Sequence, residues 1–290
     1  MRNLLLFLYI LPLCTMAQKN IKIRNDRMLP QQLREISGAV FWDGLLWAHN
    51  DGGDAPVLYA LDTSAFKIVK RVYLKQAVNT DWEDITQDDR FIYIGDIGNN
   101  AGNRNYLQIY KIAKSDIKAS GTKDSISVLP QLITFSYKNK PAGNLKKHRH
   151  NYDAEALAAY GGRLYIFSKN WLGGPSEVYA ADTAAGVYEL EPICRLNSDF
   201  LVTGADFKGN ELWVCGYYID VKIERIVAAS FAWPPQPAQN IALRSVYSFS
   251  PSFRQLETIA AIPGNGFFMA FEQLQLGALG AGPGIFRFTP

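Results

Sequence analysis

The chain has 290 residues, 48% of them hydrophobic and 20% charged, with a formal net charge of +3. That is the composition of an ordinary globular protein able to bury a large core, and all-β rings of this length are commonly one domain. The near-neutral balance excludes a nucleic-acid footprint, which needs a concentrated basic surface.

At the amino terminus Arg2 precedes the apolar run Leu4 to Leu13 and the small residues around Thr15-Met16-Ala17. This reads as a secretory signal over residues 1–17, cleaved after Ala17, leaving residues 18–290 as a single domain that is secreted or periplasmic. Removing the leader takes away only Arg2, so the formal charge falls from +3 to +2. No later segment is apolar for long enough to span a membrane. The mature chain keeps Cys194 and Cys215, both in apolar surroundings that suit buried thiols.

Beyond the leader, apolar runs rich in Val, Ile, Tyr, Phe and Trp alternate with Gly, Asn, Asp and Pro clusters, and nothing looks helical over a useful length. One frame recurs: Ser37 to Trp47, Glu83 to Tyr93, Glu155 to Tyr165, Thr203 to Trp213 and Glu257 to Phe267, always ten residues apart with a polar turn between. The frame heads are 46, 72, 48 and 54 residues apart, about one four-stranded blade each. The spacing predicts a five-bladed β-propeller, with six blades as the alternative if a further frame lies in the stretch 113–151. The second blade carries two long loops, Ile97 to Tyr106 and Ala113 to Leu129, the latter read as a solvated excursion. After Glu257 only three strands fit, so the amino-terminal segment Asn20 to Arg24 is expected to supply the fourth, closing the ring and hiding its edges.

In a propeller the first strand of each blade lines the central channel, so Ser37, Glu83, Glu155, Thr203 and Glu257 should converge at its rim. Carboxylates about 6 Å apart at an effective dielectric near 20 repel by roughly 3 kcal/mol per pair. Protonation or a bound cation must relieve this, unless channel waters and backbone amides take up the charge. No Lys or Arg heads any frame, and the donors are all oxygens, which favours Ca²⁺ or, less readily, Mg²⁺.

The motifs ISGAV, WEDIT, AEALA, VTGAD and LETIA at the blade heads resemble those of the SdiA-regulated family of exported propellers. They also look like the calcium-activated nucleotidases, or apyrases, whose five-bladed ring holds a central calcium. The combination of HNDGGD, DWEDI and GDIGNN is similar to secreted bacterial propellers without an assigned activity. These resemblances cover about Leu33 to Pro290 as short motifs. They imply a calcium at Ser37, Glu83, Glu155, Thr203 and Glu257, and leave turnover open.

Loops 49–54, 95–105, 168–174, 216–222 and 272–284 should surround that ion. Much of their Asp, Asn and Gly content is what tight turns require. Asp51, Asp96, Arg104 and Lys169 stand out as candidate catalytic groups, because turns do not specifically demand them. The basic run Lys146 to His150 could draw an anion to the same face, or be a solvated loop. Two functions stay open: a calcium-stabilised module binding a small molecule or protein, anionic ligands included, and a calcium-dependent hydrolase of phosphate esters or anhydrides. In the second, Arg104 and Lys169 would neutralise charge while Asp51 or Asp96 activates water. No established catalytic signature is present.

Overall fold

A computed structural model describes residues 18–218, 225–233, 240–250, 254–276 and 279–290. The expected leader with Cys14, and parts of the 216–222, 233–237 and 272–284 stretches, lie outside these described residues. Five sheets follow one another along the chain, each a meander of antiparallel strands. Their innermost strands are Ile36–Trp42, Trp82–Gln87, Ala154–Tyr160, Leu201–Lys208 and Leu256–Ile262. Each adjoins the next, and the last packs against the first, so the molecule is a five-bladed β-propeller.

Alternation of side chains across each strand puts apolar residues on both blade faces, and every junction between blades is filled by its own apolar cluster. Between blades one and two lie Trp47, Leu58, Trp82 and Ile94; between two and three, Tyr93, Phe135, Leu157 and Tyr179. Phe167, Val214 and Phe231 fill the third junction; Trp213, Phe267 and Phe286 the fourth; Leu46, Tyr59 and Ile285 the fifth. Each large side chain fully withdrawn from water here contributes roughly 1.5–3 kcal/mol.

The outer edges are closed by a repeated device that the sequence concealed. The segment just before the fourth strand of one blade lies parallel to the fourth strand of the preceding blade. Ser125–Val128 covers blade one, Gly186–Leu190 blade two, Asn240–Ile241 blade three and Lys19–Lys22 blade four. Thus Lys19–Lys22 does not complete blade five, as expected for Asn20 to Arg24. It pairs in parallel with Leu243–Ser250 of blade four, and Arg27–Met28 supplies the outermost strand of blade five beside Gly284–Phe288. The stretch Ala113 to Leu129 is likewise no solvated excursion. It forms the helix Lys114–Ala119, with Ile117 buried, and the strand that covers blade one. The chain breaks between Gly186–Leu190 and Pro192–Leu196 because the first pairs with blade two and the second belongs to blade three.

Blade five also departs from the ten-residue frame. In the other blades the residue three past the head pairs with the residue ten past it, as Val40 does with Trp47 and Thr86 with Tyr93. In blade five Ala260 pairs with Phe268, because the turn Pro263-Gly264-Asn265 is one residue longer. A one-residue shift reverses the face, so Phe267 points toward blade four and Phe268 meets Phe66 of blade one.

Candidate cation site at the channel mouth

All five frame heads are bulged. The ladder between first and second strands skips from Ile36 to Gly38, Trp82 to Asp84, Ala154 to Ala156, Val202 to Gly204 and Leu256 to Thr258. The skipped residues are Ser37, Glu83, Glu155, Thr203 and Glu257, freed from pairing and re-aimed by the bulge. All five are buried. Ser37, Glu83, Glu155 and Glu257 line a cavity of about 220 Å³ together with Asp51, Lys169, Tyr217 and Trp171. Thr203 does not line it; its hydroxyl donates to the Leu256 carbonyl at 2.5 Å. The Ser37 hydroxyl donates to the Glu83 carbonyl in the same fashion. These two heads act first as ties between blades.

A cation heads no frame, yet the loop after the second strand of blade three brings one in. Lys169 lies 3.1 Å from Glu155 Oε2, buried, with its ammonium 4.8 Å from the Trp171 ring and 5.5 Å from that of Tyr217. Burial opposes its charge, but Glu155, Tyr217, Glu257 and Glu83 outweigh burial and hold the ammonium protonated. When Glu155 is ionised, a contact of this length at an effective dielectric near 20 is worth about 5 kcal/mol of attraction. One such contact cannot neutralise the carboxyl groups of Asp51, Asp81, Glu83, Glu155 and Glu257 gathered around it.

The remaining charge appears as displaced acidities. Burial and the nearby charges of Glu155, Asp51, Asp81 and Asp153 push Glu83 well above the carboxylate range. Burial raises Glu155 to about 8 even against Lys169, and raises Glu257 well above its ordinary value. Asp81 rises to about 7 through burial and the charges of Asp51 and Asp153.

Within this acidic mouth Asp51, Asp81 and Glu83 have carboxylate oxygens all within 4.8 Å of one another. Two loops press against them where a side chain would not fit. A β-carbon at Gly98 would stand 2.2 Å from Glu83 Oε1 and 2.5 Å from Asp81 Oδ2; one at Gly52 would stand 2.7 Å from the Thr80 carbonyl. Neither glycine has a left-handed backbone, so close approach rather than turn geometry requires them. Glu155 Oε1 is buried in the same cavity without any hydrogen-bond partner. An all-oxygen donor set with an unsatisfied carboxylate beside it fits a hard divalent cation such as calcium.

The four candidate catalytic residues separate into two pairs. Asp51 and Lys169 line the cavity. Asp96 and Arg104 bind each other instead, Arg104 Nη2 lying 2.8 Å from Asp96 Oδ1. Arg104 also donates to the carbonyls of Gly98 and Asp96, and Asp96 accepts from the Asp81 amide at 3.0 Å, so this pair fixes the loop that carries Gly98. Sequence reasoning overlooked Asp81 and Asp153. Asp81 sits two residues before Glu83, a spacing that on an extended chain shares a face and could have revealed it. Asp153 holds Trp171 Nε1 at 2.6 Å and the Asn99 amide at 2.6 Å, contacts across loops that no local pattern announces. Of the basic run, Lys146, Lys147 and Arg149 are exposed, while His148 stacks on Trp171 at 4.2 Å over the cavity. Among the described residues no helix is long and apolar enough to cross a membrane.

No protein-family model matches the chain, and no curated protein matches it. Solved structures do resemble it. A GH43_1 enzyme from Xanthomonas citri aligns with a TM-score of 0.51 at 12% identity over 91% of this chain and 90% of that one. Regucalcin from Agrobacterium tumefaciens, described as a calcium-binding protein, aligns with a TM-score of 0.48 at 10% identity over 93% and 95%. Hydrazine synthase of Kuenenia stuttgartiensis aligns with a TM-score of 0.41 at 10% identity over 85% of this chain, which spans 58% of that longer one. At these identities the likeness speaks to architecture alone, and the chain is a five-bladed β-propeller.

Proposed function

We propose that this protein is an exported, calcium-stabilised propeller that acts as a binding module through the face around its channel mouth, akin to the SdiA-regulated propellers its blade-head motifs resemble. The observation that carries the reading is the convergence of Asp51, Asp81 and Glu83 oxygens within 4.8 Å, beside a buried and unpartnered Glu155 oxygen. Asp51, Asp81 and Glu83 would hold the ion, with Glu155 and Glu257 lending charge from the rim and Lys169 offsetting part of it. Of the other expected ligands, Ser37 lines the cavity and its hydroxyl, donating its proton to the Glu83 carbonyl, keeps lone pairs free for the ion, whereas Thr203 lies outside the lining and would tie blade four to blade five. When bound, calcium would supply positive charge at a cleft flanked by Trp171, Tyr217 and Lys169, a setting suited to an anionic ligand.

A binding module is favoured over a phosphate-ester or anhydride hydrolase because both cations that hydrolysis would use are already paired, Arg104 with Asp96 and Lys169 with Glu155. Thermal melts with chelator and with added calcium, run beside a phosphate-release panel of nucleotides and phytate, test both readings. The expected outcome is a melting temperature lowered by chelator and restored by calcium, with no phosphate released. An unchanged melt would defeat the ion. Calcium-dependent phosphate release would replace the binding module with the hydrolase.

A further inference from the structure

A second cavity, of about 440 Å³, opens at the junction of blades two and three, beside the channel mouth. It is lined by Tyr137 at the end of the strand Gln131–Tyr137, by Glu177 and Tyr179 on Ser176–Asp182, by Tyr152 ahead of blade three, and by Arg195. The stack of His148 on Trp171 divides it from the acidic cavity: those two rings line the channel mouth, while their chain neighbours Arg149, His150 and Leu172 line this one.

Two of its lining residues carry a buried polar atom without a partner. Tyr137 is 6% exposed, yet its hydroxyl has no partner, and the same holds for Glu177 Oε2. The other Glu177 oxygen accepts from Arg195 Nε at 2.8 Å, which fixes the carboxylate in place. A buried tyrosine hydroxyl or carboxylate oxygen ordinarily finds a partner, since leaving one unpaired costs about 1–3 kcal/mol. One atom is a donor and the other an acceptor, within a wall of aromatic rings. Tyr137 lies 4.6 Å from Tyr179 and 5.7 Å from Tyr152, each pair tilted by 50°. Rings so tilted make no parallel slot for a flat ligand, and offer one face at a time to a saturated ring.

We infer that this cavity is a saccharide-binding site, in which a pyranose packs against the tyrosine rings while its hydroxyls accept from Tyr137 and donate to Glu177. A hydroxyl both accepts and donates and so can answer either orphaned atom, and a sugar ring presents several on one rigid frame. The volume suits a small ligand of this size class. The cavity shares no lining residue with the cation site.

The test uses the mature chain, titrated by calorimetry with mono- and trisaccharides of glucose, galactose, mannose, xylose and arabinose, with calcium and again with chelator below the melting temperature. At least one sugar should bind, equally in both conditions. Tyr137→Phe should weaken that binding about tenfold, while its melting temperature stays level or rises because a buried unpaired hydroxyl has gone. Glu177→Gln should weaken it by a similar factor. The inference is overturned if no sugar in the panel binds, if Tyr137→Phe binds as tightly as wild type, or if binding disappears with chelator.

Discussion

At Lys169 two demands meet: an ammonium must be kept out of water, and a crowd of carboxyl groups must be kept from flying apart. Because Lys169 answers only part of that crowd, burial raises the pKa of Glu155 to about 8 and that of Asp81 to about 7, and below those values the cation-free protein keeps protons on them. Their ordinary values are 4.5 and 3.8, so the folded state holds protons that the unfolded state releases. The stability tied to these groups is complete below their ordinary values and is lost as pH rises through about 7 to 8. In chelator, the melting temperature should therefore fall steadily between pH 5 and 8.5 (a window set by these shifts,), whereas calcium should flatten the profile. A profile in chelator that is level or rises over that range would contradict the charge assignment. The two close-approach glycines separate affinity from folding. Gly98→Ala would collide with the ends of the Glu83 and Asp81 side chains, which can move aside. It should cost calcium affinity tenfold or more and leave the chelated melt nearly unchanged. Gly52→Ala meets the Thr80 carbonyl and should lower the melt itself, by about 1–3 kcal/mol of stability.

The inner strands face a problem of their own, since the edge that borders the channel would leave backbone amides without partners. Side chains from neighbouring blades supply them. Asp84 accepts from the amides of Leu157 at 2.8 Å and Ala205 at 3.1 Å, reaching blades three and four from blade two. Thr258 accepts from Ala39, Thr86 from Ala159, and Asp206 from Ala261, each across one junction. These polar residues look out of place in apolar strands until their partners are seen, and the partners lie up to 219 residues away. Asp84→Ala should remove about 3 kcal/mol or more, read as a drop in the denaturation midpoint, because buried amides lose their acceptor. An effect below about 0.5 kcal/mol would mean the tie is dispensable. The repeated frame was legible in the sequence because turn residues and aromatics recur locally. The bulge at every head and the extra residue in the turn of blade five were not, since both are matters of pairing between strands.

Across the whole ring, closure depends on order along the chain. Blades one to four each borrow an edge strand from the segment preceding the next blade's fourth strand. The amino terminus repeats the pattern, giving Lys19–Lys22 to blade four before Arg27–Met28 to blade five. That the terminus closes the ring could be read from a strand count; which blade receives which segment could not, because parallel edge pairing leaves no periodic trace. Deleting residues 18–29 should bare the edges of both blades and produce aggregation, detectable as loss of the monomer peak in size-exclusion chromatography. A monomeric, cooperatively melting deletion variant would refute this role. Blade number was readable from the spacing of the frames, and of the residues singled out in the sequence Ser37, Glu83, Glu155, Glu257, Asp51 and Lys169 line one cavity at the channel mouth. That Lys169 pairs with Glu155, and that Asp81 and Glu83 meet Asp51, emerged only from loops brought together by the ring. If Asp51, Asp81 and Glu83 share a divalent cation, calorimetric titration of calcium into chelator-stripped protein near neutral pH will show it. One calcium should bind per chain with release of protons, and Asp81→Asn combined with Glu83→Gln should abolish it; absence of binding to the wild type, or undiminished binding to that double variant, would contradict the account.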